Sequence, residues 1–234
     1  MTLYPLYLES GPKRKTTMVH VPDLLGCVAT GPTTDDALAR TPGAIRAFLC
    51  FLHRHGVAVD PDAEIETRIA EHVTEGTWLG NGSPYIVFAW DLEPLTPDDT
   101  EAYIERLEWM RGEMLDLIEG LSDDAWEDKP DTARAVRRIV EHVSGAEYSF
   151  VRLFGKLPGV SGPGATEKMS RDELLGWTEY LQQCEFDRLR ALTDAERTEL
   201  VPHGQSLRTA RKVMRRMLEH QWEHLVELGE RFAP

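Results

Sequence analysis

Long apolar runs are missing from this chain of 234 residues. None reaches the roughly 18 consecutive apolar residues that a membrane-crossing helix needs. The first ten residues lack a basic stretch followed by an apolar one, so no secretory leader is expected and a cytoplasmic protein is. Cysteine is scarce. Cys27, Cys50 and Cys184 show no C-x-x-C spacing, which excludes a disulfide framework and a thiolate zinc site and leaves reduced, packed thiols as the expectation. Positive charge is also short, with 26 basic against 40 acidic residues and a formal net charge of −14. Such a surface repels a phosphate backbone, so general nucleic-acid binding is excluded. One basic run, Arg208, Arg211, Lys212, Arg215 and Arg216, interrupts the pattern and reads as the solvated face of a helix, with attraction of an anionic substrate as the alternative.

What is present divides near residue 92. Residues 3–9 and 16–21 are rich in β-formers and flank Gly11-Pro12-Lys13-Arg14, a turn signal, so they read as a hairpin, with a third short strand at 27–30. Thr33 or Thr34 then caps a helix running towards His55, with Ala37, Ile45, Leu49 and Leu52 along one stripe and Gly56 at its end. Pro42 is expected to kink or delay that helix. A short helix at 63–74 and a strand at 85–90 complete an α+β domain over 1–92 with a small antiparallel sheet. His20, His53, His55 and His72 share no spacing that makes a site.

Residues 97–234 read as all-α, with no strand. Thr96-Pro97 is a helix start, and Ile104, Leu107, Met114, Leu117, Ile118 and Leu121 recur at helical steps. A second helix, 132–154, turns Val136, Ile139, Val143, Ala146, Phe150 and Phe154 inward. The glycine-rich stretch 155–165 is long enough for a crossover or a lid. Ser170 and Glu173 form a capping box for a third helix, with Leu174, Trp177, Leu181, Cys184, Leu189 and Leu192 inside. Ser206 precedes the fourth, whose stripe is Ala210, Val213, Met217, His220, His224 and Leu228. Four such helices with one long connection make a four-helix bundle.

Two of those stripe positions are imidazoles. Histidines four apart stack one turn above the other, and burying them costs several kcal/mol unless their nitrogens find partners. A metal ion uses both. His142, three residues after Ile139 and four before Ala146, faces inward on the second helix and supplies a third nitrogen. Three imidazoles leave a coordination position open, as in a catalytic metal site. His220 to His224 also match H-x-x-E-H, with Glu223 as a base, but the protease reading needs a carboxylate ligand well downstream and ten residues follow His224. Glu223 and Glu147 are the candidate catalytic carboxylates, either as bases or as hydrogen-bond partners of a ligand histidine.

Two resemblances follow from these motifs. Val21-Pro22-Asp23-Leu24-Leu25-Gly26-Cys27, followed by Gly31, Thr33, Asp36 and Ala37, resembles the HicB family of antitoxin-like domains. That implies a scaffold or dimerisation module or, for some members, a small toxin-like protein partner. His142-Val143-Ser144-Gly145-Ala146-Glu147, then H-x-x-x-H on the last helix, together with Leu121-Ser122-Asp123-Asp124 and a proline nine residues after that leucine, resembles the DinB family of four-helix bundles. This resemblance implies an up-down-down-up bundle, a divalent transition metal on His142, His220 and His224, homodimers in many members, and transfer reactions that use a low-molecular-weight thiol such as bacillithiol, mycothiol or glutathione. Zinc is the default ion, and nickel and iron accept the same ligands. Twenty arginines to six lysines suit a GC-rich genome and point towards mycothiol or bacillithiol.

The expectation is therefore a metal-dependent enzyme acting on a small-molecule substrate, a thiol S-transferase or related detoxification enzyme, with a metal-dependent hydrolase as an alternative. A second alternative is a regulatory protein whose HicB-like part binds a partner and whose metal is structural or vestigial.

Overall fold

A computed structural model describes residues 2–12, 16–131, 133–204 and 206–232. In chain order its elements are β1 (Thr2–Ser10), β2 (Thr17–His20), β3 (Val28–Gly31), α1 (Thr34–Arg54), β4 (Ile65–Val73), α2 (Pro97–Glu119), α3 (Asp123–Glu127), α4 (Val136–Val151), α5 (Arg171–Arg190), α6 (Asp194–Thr198), β5 (Val201–His203), β6 (Ser206–Arg208) and α7 (Ala210–Phe232). They form two compact units. One comprises Met1–Pro94 with Glu199–Glu219, the other Leu95–Thr198 with His220–Pro234, so α7 contributes residues to both.

In the first unit the sheet order is β3-β2-β1-β4. Lys13 and Arg14 of the expected turn lie outside the described residues, but the hairpin they serve is present, with Tyr7 opposite His20 and Ser10 opposite Thr17. β4 runs parallel to β1, Thr2 opposite Ile65, so the sheet is mixed and not antiparallel. The reason is the crossover through α1, which returns the chain to the far side of β1 in the same direction. β4 also replaces the expected helix at 63–74. Ile65, Thr67, Ile69, Glu71 and Val73 put β-branched residues at almost every second position, a period of two.

Thr33 caps α1 by accepting a hydrogen bond from the Asp36 amide, and the helix continues through Pro42 as one element. Its buried residues, Ala37, Ile45, Phe48, Leu49 and Leu52, belong to the same core as Leu6, Leu8, Met18 and Val19. The strand expected at 85–90 is absent. Phe88 donates its amide to Asp91 at 2.9 Å, a 3-10 turn follows at Ala89–Leu92, and Leu79, Ile86 and Phe88 instead cluster against Tyr7 and Val73.

The basic run at 208–216 is not a solvated face. Arg211, Lys212, Arg215 and Arg216 are all buried. Arg215 forks onto Asp91 at 2.7 and 2.9 Å and reaches Glu219 at 3.0 Å, and Lys212 donates to the carbonyls of Pro84 and Leu207. Each cation is balanced by carbonyls or carboxylates that sequence periodicity does not reveal. Burial alone would raise the Glu219 carboxyl, but Arg215 and then His20, 2.7 Å away, hold it down at about 2. Burial lowers the Lys212 ammonium to about 8, with Arg215 adding to the effect.

Among its described residues the second unit holds helices and no strand; β5 and β6, which the sequence did not announce, pair antiparallel in the first unit and include Ser206, so α7 starts at Ala210. Thr96 and Asp99 cap α2 reciprocally, as do Ser170 and Glu173 for α5. α4 starts at Val136, later than expected; Thr132 lies outside the described residues. On α5 the inward position beside Phe186 belongs to Glu185, fully buried, while Cys184 is only half-buried. Cys50 is exposed and Cys27 buried, so only one of the three free thiols is fully packed. Among the described residues no helix is long and apolar enough to cross a membrane.

Candidate metal centre

Within the helical unit, one turn of α7 presents His220 and His224 on the same side, and α4 brings His142 to them. The amphipathic stripe of each helix does this: His142 follows Ile139 by three residues and precedes Val143, and His220 and His224 stand between buried Met217 and Leu228. The ring centroids are 4.7, 4.8 and 5.2 Å apart, and all three rings meet edge to face. One nitrogen from each lies within 4.8 Å of the others. His142 Nε2 and His220 Nε2 are 2.9 Å apart, so one of the two rings donates a hydrogen bond to the other. His220 and His224 are buried, and His142 is the most accessible of the three.

The donor set fits a divalent transition metal. A tetrahedral ion about 2.1 Å from each nitrogen would hold the nitrogens about 3.4 Å apart, a spacing that the observed separations bracket. His224 turns Nδ1 to the Glu227 carboxylate at 2.7 Å, which leaves Nε2 for a ligand role and fixes the ring. Burial, and then the charge of Arg134, push the His142 imidazole down to about 4. Burial also lowers His224, against the opposing pull of Glu227. Both rings are therefore neutral at neutral pH, the form that binds metal.

More than half of the chain, residues 106–228, matches the model of the DinB superfamily. The chain belongs to this superfamily. No curated protein and no solved structure matches it.

In this DinB-superfamily chain the two carboxylates singled out from the sequence are not among the converging ligands. Glu147 is buried on α4 and paired with Arg111 of α2 at 2.6 Å. The same guanidinium reaches Ser144 and, at 3.2 Å, Gln221, the neighbour of His220. Glu147 thus anchors a polar strut that fixes α7 beside α2 and α4 at the level of the histidines. Glu223, rotated about 100° from His224 around the helix, is half-buried.

Three functional residues escaped the sequence reading. Glu227 carried a signal, since a carboxylate three residues after a histidine shares its helix face. Arg111 carried none: a lone arginine between Met110 and Met114 looks like a snorkelling surface residue. Arg134 directly precedes buried Ala135 and Val136 at the start of α4, and only the fold shows that it lines a cleft with His142.

Proposed function

We propose that this protein is a metal-dependent enzyme that transfers a low-molecular-weight thiol to an electrophilic small molecule, built on an up-down-down-up bundle of α2, α4, α5 and the C-terminal part of α7. The observation that carries this reading is the convergence of His142, His220 and His224 with one ligand open to solvent. A closed structural site would use a fourth protein ligand, and no further His, Cys, Asp or Glu joins the cluster among the described residues. When bound, zinc or a similar divalent ion supplies Lewis acidity that favours the thiolate form of a thiol at neutral pH. The three imidazoles hold it, Glu227 orients His224, and Arg111 with Glu147 and Gln221 holds the helices at fixed spacing. In the transfer the thiol proton passes to solvent, the sulfur forms a bond to an electrophilic carbon, and the bond from that carbon to the leaving group breaks with its pair going to the leaving group. The same donor set supports hydrolysis of an ester or amide. The unit that contains residues 1–92 serves, on this reading, as a HicB-like scaffold through which the protein forms homodimers.

The test is metal content, measured by inductively coupled plasma mass spectrometry on tag-free protein, for wild type and the His220→Ala, His224→Ala double variant. About one transition-metal ion per chain, lost in the variant, is expected, followed by metal-dependent conjugation of a thiol to a chloro-aromatic acceptor. Absence of metal, with no uptake from zinc or nickel, would overturn the reading. A loaded protein that hydrolyses esters and conjugates no thiol would leave the site and move the reaction class to hydrolysis.

A further inference from the structure

His142 does not only face its partner histidines. It also lines a cleft of about 620 Å³ within the helical unit, whose other walls come from the first turns of α4 and from the segment after residue 162. That volume suits a small organic molecule. Pro163 and Gly164, at the end of the glycine-rich stretch read from sequence as a crossover or lid, build the second wall together with Thr166 and Glu167. Arg137 ties it down by donating to the carbonyls of Thr166 and Met169, and Gly145 lets Pro163 approach α4, since a β-carbon there would lie 3.3 Å from the proline ring.

The charge of this cleft runs against that of the chain. Lys129, Arg134 and Arg138 line it, against Glu141 and Glu167. Glu141 is already engaged, at 2.6 Å by Arg138 and at 3.3 Å by Arg137, so its charge is spent within the wall. Among the described residues neither the Arg134 guanidinium nor the Lys129 ammonium has a hydrogen-bond or ion-pair partner. α4 adds to the field, because its N-terminus opens on the cleft at Ala135 with no capping side chain and no carboxylate in its first turn. Arg134 and Lys129 are exposed, and with Glu167 counted the lining still holds one more cation than carboxylate, so in a chain of net charge −14 this cleft favours an anion over a neutral molecule of the same size.

We propose that this cleft binds the oxyanion end, a carboxylate or phosphate, of the small molecule that reacts at the three-histidine centre, with Arg134 and Lys129 as the recognising residues and Arg138 in support. The inference rests on the reading of that centre and deepens it. An arginine fork meets a carboxylate or phosphate through two parallel hydrogen bonds and gives orientation as well as affinity. A ligand held there presents its remaining atoms towards His142. The site accordingly selects a carboxylate- or phosphate-bearing thiol or acceptor over an uncharged one of equal size.

The experiment is calorimetric titration of the full chain, stripped of metal, with succinate, with inorganic phosphate and with neutral succinamide, on wild type and on Arg134→Gln, Lys129→Gln and the double variant. Saturable binding of one anion, no binding of succinamide, and an affinity weakened about tenfold or more in Arg134→Gln are expected, with further loss in the double variant. Which anion binds more tightly assigns the carboxylate or the phosphate source. Metal uptake by Arg134→Gln is measured in parallel and should equal that of wild type, which shows that the variant folds. Equal binding to wild type and double variant, or binding of neither anion at millimolar concentration, would overturn the proposal. Because the titration uses stripped protein, anion binding without metal uptake would fault only the metal reading, and metal uptake without anion binding only the cleft.

Discussion

Glu185 shows how a single residue departs from its helix pattern. It stands fully buried on α5, neither carboxyl oxygen has a hydrogen-bond partner among the described residues, and the charges that act on it most are the Glu147 carboxylate and Arg111. Burial, and then Glu147, push its carboxyl well above the ordinary range, which favours the neutral acid. One guanidinium cannot neutralise two carboxylates, and Glu147 has the ion pair. The consequence for stability has a definite sign. As pH rises past about 4.3 the unfolded chain gives up this proton first, so the folded state loses ground until its own carboxyl ionises. Glu185→Gln removes that loss. Its melting temperature is expected to exceed that of wild type by about 3 °C or more near neutral pH, with the gap closing at about pH 4. A gap that persists unchanged at low pH would mean that packing, and not ionisation, separates the two proteins.

At the scale of elements, the junction of β3 with α1 is decided by one glycine. A β-carbon at Gly31 would lie 2.4 Å from the Ala37 amide nitrogen and 2.9 Å from the Ala37 Cα, both backbone atoms of a helix that cannot give way. Gly31→Ala is therefore expected to cost about 2–3 kcal/mol, read from urea unfolding, because it must separate the helix from the strand it follows. Gly43, on the exposed side of the same helix, meets nothing within 4 Å, and Gly43→Ala should leave stability equal or improved through its better helix propensity. Equal losses at the two positions would show that the junction is looser than these contacts imply. The caps tell the complementary story: Thr33, Thr96 and Ser170 all sit where their sequence signatures place them, since a cap is a contact between neighbours three residues apart.

For the whole molecule, a ligand that binds only the folded chain stabilises it by mass action. Zinc at a hundred times its dissociation constant is expected to add about 2.7 kcal/mol to the unfolding free energy, and a chelator to remove it, with no such response in the His220→Ala, His224→Ala variant. An identical chelator response in that variant would place the ion elsewhere. The three histidines behind this expectation were legible in the chain, because an imidazole replacing an apolar residue on a helical stripe is a local irregularity. So were the helical half, the caps and the acidic balance that argues against nucleic acid. The period of two at 65–73 was in the sequence, but that this strand lies parallel beside β1 depends on the chain crossing back through α1. Local pattern did not show that Arg215 meets Asp91, that Arg111 meets Glu147, or that Arg134 and Lys129 share a cleft with His142. Periodicity fixes which side of an element a residue occupies, whereas the balance of each buried charge depends on partners distant in sequence, which only tertiary structure supplies.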